Sequence, residues 1–309
     1  MGAFVRETQI TTCDRKDEQK KDVELCLQTD GRRRYYGSHR SRVRKALTPP
    51  KQAALNDRHA WTYLERLAEM NFGRGDYHVT LTYSETTLPK TAEASKRDYD
   101  RFIARARKLY KAKGLKIDAL MVMSQRTSKD GDITRLHMHV LMRGGVDRDQ
   151  IEALWRAADK VGRPKVGQEA SWLGAPLGFA NVDRLQPDGN GLAALCAYLK
   201  KQPRDGIARR WYATCGLKKP YISSQRDDRY DVADLKAIAE RNSDIPNVSW
   251  WERQYPGWTL YDDHTHALTM SMSEYSGTTI RAKLRRLTPE ELEDRKKERR
   301  QAHEYNYRI

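Results

Sequence analysis

Cysteine is scarce in this chain. Cys13, Cys26, Cys196 and Cys215 are the full set, and no two stand in C-x-x-C spacing. That argues against a zinc ribbon or knuckle, and four thiols in 309 residues do not make a disulfide scaffold. The expectation is reduced thiols in a cytoplasmic protein. Long apolar runs are missing too: none approaches the roughly 18 residues that span a bilayer. Met1-Gly2-Ala3-Phe4-Val5 carries no apolar signal region, so no membrane partner is expected. Acidic residues are short relative to basic ones, 42 against 58, which leaves a net charge of +16. An excess of that size predicts a polyanionic partner, because Lys and Arg that neutralise phosphates release counterions. With a membrane set aside, nucleic acid is the expected polyanion, and a generic solubility charge is the alternative.

The length suits one or two domains. Residues 1–58 read as a basic arm: Arg32, Arg33 and Arg34, then Arg42, Arg44 and Lys45, stand among few apolar anchors, and Pro49-Pro50 interrupts the segment. These cations suit contact with a phosphate backbone. They suit a solvated tail equally well. Residues 59–222 carry the regular patterns. A helix is expected from near Asp57, with Trp61, Leu64, Leu67 and Ala68 as its stripe. Tyr77 to Tyr83 alternates strictly, apolar on one face and His78, Thr80 and Thr82 on the other, which predicts a strand. A helix with Phe102, Ile103, Ala106, Leu109 and Tyr110 on one face follows. Ala119 to Met123 and Leu136 to Met142 read as strands joined by a hairpin at Asp130-Gly131. Asp147 and Gln150 suggest a capping box for a helix carrying Ile151, Leu154, Trp155 and Ala158. A short strand at Phe179 to Val182 and a helix over Leu192 to Gln202 complete this region. Residues 223–309 show an aromatic-rich hairpin near 259–282 and a last helix opening at Thr288-Pro289-Glu290-Glu291. The order of elements predicts an α+β fold: a central antiparallel sheet flanked by helices.

Two patterns carry chemistry. In His137-Met138-His139, residues i and i+2 of a strand project from one face, which suits a rigid half-site for a divalent metal; alone, the pair is also read as two polar residues on a solvent-facing side of the strand. His264-Thr265-His266 has the same spacing with a polar centre and follows Asp262-Asp263; it reads as an exposed hairpin. On the helix after the Gly-rich loops, Leu192, Leu195, Cys196 and Leu199 recur at i, i+3, i+4, i+7 and face a core. Ala194, Tyr198 and Lys201 are then rotated away from it. A phenol with a lysine one turn on is a reasonable nucleophile pair, but by itself it reads more readily as an ordinary boundary tyrosine with a snorkelling lysine.

Taken in order, Asn71-Phe72, His78 to Ser84, Arg135 to Leu141 and Ala197 to Lys201 resemble the motifs of the HUH endonuclease superfamily. The likeness is to replication initiators of rolling-circle plasmids and single-stranded DNA phages, and it covers roughly residues 71–222. It implies that Mg²⁺ or Mn²⁺ sits on His137 and His139 and polarises a scissile phosphate. Tyr198 becomes linked to the 5′-phosphate, a 3′-hydroxyl is freed, and the strand is later rejoined. Lys201 balances charge at the phosphate, Lys200 adds DNA contact, and one tyrosine in the helix indicates the single-tyrosine class. The partners implied are single-stranded origin DNA with a host helicase and polymerase, since the chain has no G-x-x-x-x-G-K-[ST] loop of its own.

Such enzymes place a third ligand on the neighbouring strand, and Gln125 is the candidate, with His78 its rival. A three-residue loop at 130–132 would set Gln125 opposite His137, whereas a two-residue loop at Asp130-Gly131 would set Ser124 there. A relaxase or transposase of the same superfamily is an alternative. So is a non-catalytic protein that binds single-stranded nucleic acid, for which charge and scattered aromatics suffice.

Overall fold

The computed structural model describes residues 4–13, 19–28, 50–159, 174–187, 191–207, 209, 211–227, 229–241, 248–261, 267–273 and 277–306. The chain is α+β. Its elements in order are β1 (Phe4–Cys13), β2 (Gln19–Gln28), α1 (Pro50–Asn71), β3 (Tyr77–Thr82), α2 (Ala92–Ala112), β4 (Ala119–Thr127) and β5 (Ile133–Met142). Then come α3 (Arg148–Glu152), β6 (Ala180–Arg184), α4 (Ala193–Lys201), β7 (Tyr212–Ala213) and β8 (Tyr221–Ile222). The last are α5 (Val232–Arg241), α6 (Val248–Gln254), β9 (Trp258–Leu260), β10 (Leu268–Ser273), β11 (Gly277–Arg286) and α7 (Pro289–Asn306). Two compact units result: Asp57–Lys219, and Met1–Asn56 together with Pro220–Ile309. Among the described residues, no helix is long and apolar enough to cross a membrane.

The unit 57–219 is built on a five-stranded antiparallel sheet in the order β6-β3-β5-β4-β7. Strand alternation divides its side chains between two cores. Val79 and Leu81 of β3, Met121 and Met123 of β4, and Met138 and Val140 of β5 pack with Phe102, Ile103, Ala106 and Tyr110 of α2. On the opposite face, Leu120, Val122 and Leu141 pack with Trp61, Leu64 and Leu67 of α1 and with Cys196 and Leu199 of α4. Each such fully buried side chain contributes about 1.5–3 kcal/mol, so the sandwich holds the strands in one register.

Three local expectations need correction. The first helix starts at Pro50 rather than near Asp57. The helix expected through Ala158 stops at Glu152, although Asp147 caps it by accepting from the amides of Asp149 and Gln150. Trp155 leaves the helical path: its indole donates to the carbonyl of Thr82 at 2.7 Å, and Leu177 amide reaches its own carbonyl at 3.3 Å. The 1–58 segment does not read uniformly as a lead-in either, because β1 and β2 pair along their whole length. The basic residues expected on the arm, Arg32 to Arg34, Arg42, Arg44 and Lys45, lie outside the described residues, as do His264 and His266.

In the second unit β2 also pairs with β11, giving the order β10-β11-β2-β1-β8, with β9 on β11 as well. The sequence signal for β1 is weak because one inward position is a carboxylate. Glu7 is 1% exposed; it accepts from Tyr255 hydroxyl at 2.7 Å, Gln9 amide at 2.8 Å and Arg229 at 3.3 Å. Buried charge is tolerated only with such partners. At α7 the expected capping box is present. Thr288 amide donates to Glu291 at 2.8 Å and Glu291 amide to Thr288 hydroxyl at 3.2 Å.

Candidate active site

The sheet face covered by α1 and α4 collects the polar residues of β3 and β5. Thr82 stands opposite His137, Thr80 opposite His139, and His78 opposite Leu141. Directly opposed residues share a face, so His78, Thr80, Thr82, His137 and His139 all project toward α4's side. His137 is 9% exposed and His139 3%. His78 Nε2 and His139 Nδ1 are 3.2 Å apart, and the rings lie nearly parallel with centroids 5.3 Å apart. One of these nitrogens carries the proton and the other accepts it. With Nδ1 of His139 as donor, its Nε2 keeps a free lone pair, a common way to fix the tautomer of a ligating histidine.

Burial sets the charge state. It pushes His78 down, with Asp183 opposing, and it pushes His137 down with help from Arg135 and Arg126. His139 is pushed down to about 3, first by burial and then by His137 and His78, while the Gln202 side chain opposes. All three rings are therefore neutral near pH 7, the form that ligates metal. His137 Nδ1 and His139 Nε2 are buried and have no hydrogen-bond partner. A buried acceptor without a partner costs about 1–3 kcal/mol, so two in one cluster fit an electrophile that the bare chain does not supply.

The same shift makes a stability prediction. An unfolded His139 titrates near 6.5, a folded one near 3. Between these values the unfolded chain binds a proton that the folded chain does not, so stability is full above about 6.5 and falls as pH drops toward 3. Denaturant titrations of metal-stripped protein at about pH 7.5 and about pH 5 should differ by about 2 kcal/mol from this residue. His139→Asn should shrink the difference, and an unchanged difference would refute the assignment.

Tyr198 comes to the same place. The stripe of α4 buries Cys196 and Leu199 and leaves Tyr198 47% exposed. Its ring meets His139 edge to face, centroids 5.3 Å apart at 77°. Lys200 and Lys201 form the exposed last turn of α4, with Lys201 at i+3 from Tyr198. The structure thus brings His137, His139 and Tyr198 together.

Gln125 is not part of this group. The connection of β4 to β5 runs over residues 128–132 with Gly131 at φ +89°, and the register shifts between Arg126 and Thr127. Ser124 consequently stands opposite His137 and Gln125 opposite Leu136. One step of register moves a side chain to the other face, so Gln125 shares the face of Met123 and Leu136. Its amide nitrogen donates to Asp205 carbonyl at 2.7 Å. Ser124, the alternative that the shorter loop allowed, and Gln202, which the sequence reading missed, occupy the site instead. Ser124 is fully buried and donates to Pro203 carbonyl at 3.1 Å, which ties β4 to the segment after α4. Gln202, the C-cap of α4, lies beside both imidazoles. Its nearness to Tyr198 in the sequence was the available signal. Among the described residues, no group of three or more His, Cys, Asp and Glu is arranged to hold a metal ion. The imidazole pair is a half-site. No known protein family, curated protein or solved structure matches the chain.

Proposed function

We propose that this protein is a metal-dependent endonuclease that cuts single-stranded DNA with Tyr198 as nucleophile and so initiates rolling-circle replication. One observation carries the reading: an accessible tyrosine ring rests on a buried histidine whose Nε2, like the neighbouring His137 Nδ1, lacks a partner. His137 and His139 would hold Mg²⁺ or Mn²⁺, which when bound polarises a phosphate as a Lewis acid. Imidazole nitrogen is a softer donor than carboxylate and favours Mn²⁺ of the two.

The chain's own residues do the rest. His78 orients His139 through the 3.2 Å nitrogen contact. The Tyr198 oxygen attacks phosphorus and gives up its proton to solvent. The bond from phosphorus to the 3′-oxygen breaks, that oxygen takes a proton, and the 5′-phosphate stays on the tyrosine. Lys201 offsets charge on the phosphate oxygens, and Lys200 contacts the backbone beyond. The phosphotyrosine link retains the bond energy, so a 3′-hydroxyl can later displace the tyrosine and rejoin the strand. A host helicase and polymerase would extend the freed end, and the reduced thiols suit a cytoplasmic setting.

The test is mass spectrometry of the protein after incubation with single-stranded origin DNA and Mn²⁺. The expected result is a nucleotide adduct on the peptide containing Tyr198, absent with chelator. Tight DNA binding without any adduct would leave the non-catalytic binding protein as the better reading.

A further inference from the structure

The antiparallel ladder between β3 and β6 continues beyond the named strands. Leu81 stands opposite Ala180, Thr82 amide donates to Phe179 carbonyl at 2.8 Å, and Ser84 amide to Leu177 carbonyl at 2.9 Å. Phe179 is therefore opposite Thr82, which is opposite His137, which is opposite Ser124. Side chains in such a row share one face. Phe179 is thus on the face of the imidazoles, two strand spacings or about 10 Å from His137.

Phe179 is 82% exposed, the most exposed large apolar side chain among the described residues. Within the unit 57–219 only Phe179 and Tyr198 are exposed large hydrophobics among the described residues, and both stand on this face. The backbone beneath Phe179 is clamped. Thr82 donates to its carbonyl from the amide at 2.8 Å and from the hydroxyl at 3.0 Å. At Gly178 a Cβ would lie 2.3 Å from Thr82 carbonyl oxygen and 2.7 Å from Ser84 amide, so only glycine lets the chain run this close to β3. An exposed aromatic ring on a fixed backbone loses little entropy on binding.

We propose that Phe179 is a stacking platform for one unpaired nucleobase of a single-stranded DNA and positions the phosphate, roughly two to three nucleotides away, at Tyr198. This rests on the nuclease reading for the substrate and deepens it: the strand must present a flipped-out or unpaired base. Phe179 is a positioning residue with no part in bond cleavage. Every base has a π-face, so its contribution is tolerant of sequence.

The experiment uses the full chain and single-stranded oligonucleotides with one 2-aminopurine moved along the sequence. The wild-type chain should change the fluorescence at one or two neighbouring positions only. Phe179→Ala should abolish that change and weaken binding about tenfold. The slope of log affinity against log salt should stay the same, because no charge is lost. Phe179→Trp should restore both fluorescence and affinity. Wild-type affinity and fluorescence in Phe179→Ala overturn the proposal, as does a loss that Trp does not rescue or that alters the salt slope. Adduct formation on Tyr198 is read in the same wild-type samples. Its absence counts against the nuclease reading while the base-stacking result stands, because stacking requires no bond cleavage.

Discussion

Tyr198→Phe should abolish the covalent protein–DNA product expected of the proposed nuclease and lower strand cleavage at least about a thousandfold, as loss of a nucleophile does elsewhere. Affinity for the same oligonucleotide should stay within about twofold, because the substitution removes a hydroxyl and keeps the ring that packs on His139. Denaturing gels of radiolabelled DNA check the product, and fluorescence anisotropy checks affinity. The structure makes this comparison clean. Tyr198 is half-exposed on α4, while the residues that anchor the helix are Cys196 and Leu199. A Phe variant that still forms an adduct moves the nucleophile to another tyrosine, with Tyr212 of β7 the first to examine.

His139→Ala and His137→Ala should each remove the proposed Mn²⁺ binding, and the readout is thermal. A ligand that binds only the folded chain stabilises it by about 2.7 kcal/mol at a hundred times its dissociation constant. For a unit of this size that raises Tm by about 5–10 °C. The wild-type protein should show this rise with Mn²⁺ and either alanine variant should show none. The baseline Tm falls in the variants as well, since both rings are nearly buried, so the diagnostic quantity is the increment on adding metal. Gln125→Leu should keep the full increment, because Gln125 shares its face with Met123 and Leu136 rather than with the imidazoles. Loss of the increment there, with both histidine variants normal, would return the ligand to β4.

The strands and the helix of the site were legible because burial imposes a period. Tyr77 to Thr82 alternates in sequence and in burial, and the apolar stripe of α4 ends up in a core as its spacing requires. The register between β4 and β5 was not legible. It turns on a bulge next to the 128–132 turn, and the residues around a bulge look like any others until paired. Gln202 was hidden for a related reason: its place beside the histidines comes from where the end of α4 meets the sheet. β1 was hidden by composition. Glu7 is acceptable inside only because Tyr255 and Arg229, more than two hundred residues later, reach it. A reading that weighs local windows has no access to that partner.

The pairing of β2 with β11 also has a consequence in time. Cys26 and Thr279 touch across a separation of 253 residues. At about 5–20 residues per second, a ribosome delivers the second partner roughly 13–50 s after the first. During that interval β2 can pair with β1 alone, and a lone hairpin is marginal in water. Everything that 57–219 needs for its own sheet is meanwhile already synthesised. The unit 57–219 is therefore free to fold first. The unit that holds β2 and β11 finishes last, and its unpaired strand edges wait longest for cover.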